Sequence, residues 1–103
     1  MSDRLQSLIE LYEKNPDDSF VAYGIALEYI SKGNFDEAEK YLSNIISNDP
    51  DYLPAYMQLA HVKENLNKIE EAKDSYKKGI EVAKINGELK TASEMEEFLN
   101  GLE

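Results

Sequence analysis

Residues 22–50 read AYGIALEYISKGNFDEAEKYLSNIISNDP, and residues 56–84 read YMQLAHVKENLNKIEEAKDSYKKGIEVAK. Laid over each other, they pair Ala22 with Tyr56, Ile25 with Leu59, Ala26 with Ala60, Phe35 with Ile69, Ala38 with Ala72, Leu42 with Tyr76 and Ile45 with Gly79, at a constant separation of 34 residues. A fixed period of this size marks stacked units, none of which can bury its own apolar face alone. Within each unit the apolar positions recur three and four residues apart, which predicts helices.

The first unit predicts a helix over about Ser19–Lys32, with Ala22, Ile25, Ala26 and Tyr29 as its packing stripe. Asp17 and Asp18 offer N-cap oxygens. Gly33 suits the left-handed residue that closes the helix. Asn34 and Glu37 have the spacing of a capping box for a second helix over about Phe35–Ser47. Asn48-Asp49-Pro50-Asp51 is a turn by composition. In the second unit Asp51 is the expected N-cap, and Pro54 is tolerated in the first turn of a helix over about Tyr52–Leu66. Asn67 takes the place of Gly33, and Lys68 is a poor cap. The next helix, about Ile69–Ile85, has Lys84 where the first unit has Pro50, so it is free to run on.

Outward from these units, Leu5, Leu8, Ile9 and Tyr12 make one face of a helix over Asp3–Asn15, stopped by Pro16. Leu8, Leu11, Tyr12 and Pro16 are one period before Leu42, Ile45, Ile46 and Pro50, so this segment reads as the second half of a unit. At the other end Leu89, Ala92, Met95, Leu99 and Leu102 form the stripe of a helix over about Glu88–Asn100 that leaves the 34-residue pattern. Terminal units with a polar outer face are what a helical stack requires.

The period and the spacing of these residues resemble the tetratricopeptide repeat (TPR), a helix–turn–helix unit of about 34 residues. Lys78–Ala83 with the tail is also similar to the end of small stand-alone bacterial TPR proteins. The resemblance implies an all-α fold: a short TPR-like solenoid of about six antiparallel helices in a right-handed superhelical stack. One domain spans 1–103. It divides into an N-terminal cap helix (1–16), repeat one (19–52), repeat two (53–86) and a C-terminal capping helix (87–103).

Composition narrows the function. The 103 residues carry a net charge of −10 and no cysteine. Both halves are acidic, so nucleic acid and anionic membrane surfaces are disfavoured partners, since both require a basic footprint. No apolar run approaches the ~18 residues of a membrane helix, and no secretory leader is evident, so a cytoplasmic protein is expected. Thiolate metal sites are excluded, no cofactor motif is present, and the redox compartment is left open. His61 is the single histidine, and without a second His or any Cys it is expected as a helix-surface side chain rather than a ligand or catalyst. The carboxylate pairs Asp36/Glu37 and Glu70/Glu71 fall in first turns of helices, where they complement the helix dipole. No catalytic residue is assigned.

The resemblance also implies a concave face built from the first helix of each unit. The matching residues include Phe20, Tyr23, Gly24 and Leu27 in the first repeat, and Pro54, Met57, Gln58, His61, Glu64 and Asn65 in the second. Of these, Phe20, Tyr23, Leu27, Met57, Gln58 and His61 are the candidate partner-binding residues. Phe20, Tyr23 and Leu27 share one face, apart from the Ala22/Ile25/Ala26/Tyr29 stripe, so the first helix is apolar nearly all round. Such a helix is covered by an end helix of the same chain, by a partner, or by a second copy. The expected function is a non-enzymatic protein–protein interaction module that binds a peptide or helix there. The alternative is self-association through the same face, as a weak homodimer. The TPR subclass that clamps acidic chaperone C-termini uses basic and amide residues at places held here by Tyr23, Leu27, Gln58, Glu88 and Ala92. None of these is basic, so a bound carboxylate would lack its charged partner.

Overall fold

The structure, a computed structural model, describes residues 3–103; Met1 and Ser2 of the expected cap segment lie outside the described residues. It contains six helices: α1 (Asp3–Lys14), α2 (Ser19–Ser31), α3 (Phe35–Asn48), α4 (Leu53–Asn65), α5 (Ile69–Ile85) and α6 (Leu89–Leu102). Each helix packs chiefly on the next in the chain, α1 on α2 through to α5 on α6. With turns this short, neighbours in sequence become antiparallel neighbours in space, and the result is a short α-helical solenoid.

Three turns share one construction. At α2–α3 the N–H of Gly33 bonds to the Ile30 carbonyl and that of Asn34 reaches back to Tyr29, both at 2.9 Å. Asn67 and Lys68 repeat the pattern after α4, and Gly87 and Glu88 repeat it after α5. The residue at the bend has positive φ in all three: 75° at Gly33, 64° at Asn67 and 75° at Gly87. This is the left-handed closure that satisfies the last carbonyls of a helix.

Capping follows sequence expectation at one helix and departs from it at two. Asp18 caps α2, its Oδ1 accepting from the Val21 N–H at 3.2 Å. Asn34 makes no side-chain cap bond to α3. Its own N–H is already spent on Tyr29, so the capping box has no donor for Glu37, which turns to Lys40 at 3.2 Å. Asp51 does not cap α4 either; Tyr52 holds that position. The Asp51 carboxylate instead accepts from Asn86 Nδ2 at 3.1 Å, tying the α3–α4 turn to the end of α5.

The core forms two clusters that share α4. One gathers Ala22, Ala26, Ala38, Leu42 and Ile45 with Ala55, Leu59 and Val62 of α4. The other gathers Tyr56 and Ala60 of α4 with Ala72, Tyr76, Ile80, Ala83, Ala92 and Met95. Adjacent sides of α4 serve the two clusters, which is why its apolar residues follow no single stripe. Small side chains allow the close approaches. At Gly79 an added β-carbon would lie 2.8 Å from Tyr56 Cβ and 2.6 Å from Met95 Sδ, so α5 meets α4 and α6 there backbone to side chain.

The end helices are less enclosed than their stripes suggest. Leu5, Leu8, Ile9 and Tyr12 are half-buried, and Leu11 is 52% exposed although its counterpart Ile45 is buried. No described helix lies beyond α1 to cover it. Leu89 is exposed as well, because α6 begins there and the chain has only just emerged from its turn. A charged bridge holds the middle of the stack: Lys63 on α4 contacts Glu71 on α5 at 2.6 Å and Glu39 on α3 at 3.6 Å, and Lys68 joins Glu39 at 3.2 Å.

Candidate functional site

The odd-numbered packing partners α3 and α5 leave one side of α2, α4 and α6 free, and the three helices share a groove of about 360 Å3. Its walls come from Tyr23 of α2, from Leu53, Pro54, Met57 and Gln58 of α4, and from Glu88, Thr91 and Glu94 at the start of α6. Pro54 sits at the second position of α4, where a missing N–H costs nothing, and it lines the groove together with Met57.

The wall at Tyr23 is built from aromatic contact. The Tyr23 and Tyr52 rings lie 5.5 Å apart at 53°. Burial raises the pKa of the Tyr23 hydroxyl, and contact with the Gln58 side chain opposes that shift. Gln58 therefore links the α2 and α4 walls across the groove. The α6 wall carries carboxylates: neither Glu88 nor Glu94 has an ion-pair partner among the described residues.

Of the six candidates read from sequence, the structure brings Tyr23, Met57 and Gln58 together in this groove. Phe20 and Leu27 stand on the same helix as Tyr23 but outside the groove, 77% and 38% exposed. The end helix α1 covers a neighbouring part of α2, with Leu8 Cδ1 3.4 Å from where a β-carbon on Gly24 would be and Arg4 bonded to Glu28 at 2.9 Å.

His61 departs from the expected surface side chain. It is half-buried in an aromatic cluster, its ring 4.8 Å from Phe98 and 5.8 Å from Tyr76. The Tyr76 oxygen lies 2.8 Å from both His61 Nδ1 and Glu64 Oε2. A phenol has one proton, and an ionised carboxylate can only accept, so Tyr76 donates to Glu64 and His61 Nδ1–H donates to Tyr76. Burial first, and the bond to Glu64 next, raise the Tyr76 pKa well above the ordinary tyrosine value. His61 thus ties α4 to α5 and α6.

Sequence reasoning missed Leu53, Thr91 and Glu94 as groove residues, and it placed the third helix of the groove in the wrong register. The buried pair Ala92 and Met95 of α6 matches Tyr56 and Leu59 of α4 at 36 residues, not 34. Ala92 is in the core and cannot be a groove residue; with the longer step, Lys90 and Glu94 take the places earlier assigned to Glu88 and Ala92. Lys84 in place of a proline was the signal, since it lets α5 run to 17 residues and carries the next helix forward.

A family model described as "Tetratricopeptide repeat" matches residues 29–84. A TPR repeat-containing protein of Pseudomonas aeruginosa is 21% identical over 99 residues, covering 96% of this chain and 94% of that one. The solution structure of a tetratricopeptide repeat domain protein from Salinibacter ruber superposes with a TM-score of 0.82 at 32% identity, covering 86% of this chain and 90% of that one. A protein from Bordetella parapertussis, at 20% identity, shares the fold over 99% of this chain and 89% of its own, with a TM-score of 0.85. The family model spans more than half of the chain, within the stretch that carries the 34-residue period, and this chain belongs to the tetratricopeptide-repeat family.

Proposed function

We propose that this chain is a non-enzymatic protein–protein interaction module whose α2–α4–α6 groove receives a peptide or helix of a partner protein. The observation that carries this is the groove itself: about 360 Å3, walled by Tyr23 of α2, by Leu53, Pro54 and Met57 of α4 and by Thr91 and Glu94 of α6, with the other end helix, α1, outside its lining. Peptides and amphipathic helices bind in such channels by placing apolar anchors between side chains already held in position. Another hollow of about 260 Å3 lies among Ile46, Leu59, Lys63, Glu71, Asp74 and Lys78; Lys63, Glu71 and Lys78 are already paired within the protein and Asp74 alone has no ion pair among the described residues, so it offers a ligand less. The chaperone-clamp mode does not fit. In the corrected register its places hold Tyr23, Leu27, Gln58, Lys90 and Glu94, and one lysine facing a carboxylate cannot neutralise an anionic terminus.

Affinity capture from the native host tests this proposal. Tyr23→Ala and Met57→Gln should remove the specifically retained protein while the helical circular dichroism stays unchanged. Recovery of the same proteins with and without these changes would show the groove to be unused. Self-association is the second reading, and the exposure of Phe20 and Leu27 outside the groove favours it. Sedimentation over a concentration series separates the two: Phe20→Glu should dissolve a dimer if one forms, and a monomer at every concentration removes this reading.

A further inference from the structure

We infer that the partner segment is cationic and amphipathic: an apolar anchor seated on Tyr23, Leu53 and Met57, with lysine or arginine along the edge that meets α6. This rests on the groove reading above and adds the chemistry of the occupant. The lining has two kinds of surface in a fixed arrangement. Apolar side chains come from α2 and α4, while both carboxylates, Glu88 and Glu94, come from α6. An occupant that fits both must itself be divided, apolar on one side and positive along one edge.

The placement of the chain's own cations supports the same occupant. α2 has no lysine or arginine. The single cation of α4, Lys63, is turned away to Glu39 and Glu71. Lys40, Lys73, Lys77, Lys78 and Lys84 all belong to α3 and α5, on the other side of the stack. Of the cations on α2, α4 and α6 only Lys90 remains, and it is exposed and outside the lining. Apart from Lys90, which stands on α6 beside the groove without lining it, the helices that form this face thus keep their positive charges off it, and two carboxylates there have no ion pairs among the described residues. Such a field favours cations and repels acidic segments, acting most on the association rate and weakening as salt rises.

A phage-displayed random peptide library panned on the full-length chain provides the test. The recovered peptides are expected to place lysine or arginine beside apolar residues and to lose binding to Met57→Gln. The double variant Glu88→Gln/Glu94→Gln should weaken them about five- to tenfold at low salt, and Glu70→Gln/Glu81→Gln on α5, which changes net charge equally, by less than about twofold. Peptides that are acidic or uncharged yet lost in Met57→Gln would overturn the cationic inference and leave the groove reading standing. Equal weakening by the two carboxylate pairs would also overturn it, by exposing a general attraction to an acidic protein. Peptides indifferent to Met57→Gln, or none recovered, would remove the groove reading and the inference together.

Discussion

A methyl group on Gly79 would meet two neighbours at once. Met95 Sδ is near the end of a flexible side chain and can swing aside, but Tyr56 Cβ is fixed to the α4 backbone. Alanine ordinarily favours a helix interior by roughly 1 kcal/mol over glycine. Here overpacking of about 1–3 kcal/mol outweighs that gain, and Gly79→Ala should lower stability by up to about 2 kcal/mol in urea unfolding. Gly24→Ala is the internal control. Its nearest neighbour is a Leu8 methyl at 3.4 Å, within ordinary contact, so the midpoint should hold or rise. A fall of equal size at both positions would mean that Gly79 is no special approach. The sequence shows Gly79 only as the counterpart of Ile45, and nothing in the period reveals that Tyr56 and Met95 close on it from two helices. Asn67, by contrast, could be read directly, because few side chains other than glycine tolerate a φ of 64°. Asn67→Gly should therefore stabilise slightly, by roughly 0.5 kcal/mol, relieving the residual cost of that geometry.

Among the elements, α1 has the most to prove. It touches the stack through Leu8 against Gly24, through the Tyr12 ring 5.5 Å from that of Tyr41, and through the Arg4–Glu28 pair. The ion pair is exposed and contributes little. The half-buried leucines and the aromatic contact carry the helix, at roughly 1 kcal/mol or more each. Deleting residues 1–15 should lower the melting temperature by about 10 °C or more, since each kcal/mol shifts a domain of this size by about 4–8 °C. An unchanged melt would show that α1 does not cap the stack. The helices themselves were legible in the sequence because their apolar spacing is set by local geometry, which holds whatever the neighbours are. The register of α6 was not. The end of α5 at Ile85 has local signals, Lys84 in place of a proline and Gly87 at the left-handed turn, but the step this gives to α6 shows only in the packing of Ala92 and Met95. For the same reason Tyr23, Met57 and Gln58 could be picked from the positions that the family resemblance assigns in the two repeats, while Glu94 and Thr91 had to wait for three dimensions. Phe98 was missed as the partner of His61 because it lies off the main stripe of α6.

At the scale of the molecule, pH acts through the tyrosines. Burial raises the hydroxyl pKa values of Tyr23, Tyr41, Tyr52, Tyr56 and Tyr76, with Glu64 adding to the shift at Tyr76. A raised pKa in the folded state means that the unfolded chain ionises first. The contribution is complete below the unfolded value of about 10 and is lost as pH rises past it. The melting temperature should therefore decline above about pH 10, and Tyr76→Phe should flatten part of that decline; an identical slope in the variant would show that Tyr76 is not among the groups responsible. The whole stack also inherits a consequence from the extra reach of α5. Between α2 and α4 the chain keeps a step of 34 residues, so a duplicated copy of residues 35–68 inserted after Lys68 presents each helix to a neighbour of the kind it already has. Beyond α5 the step is 36, and a further 34-residue copy appended there would face its apolar side away from the helix meant to receive it. A duplication in register is thus expected to be tolerated inside the array, whereas one placed after α5 would need the 36-residue step to meet its neighbour.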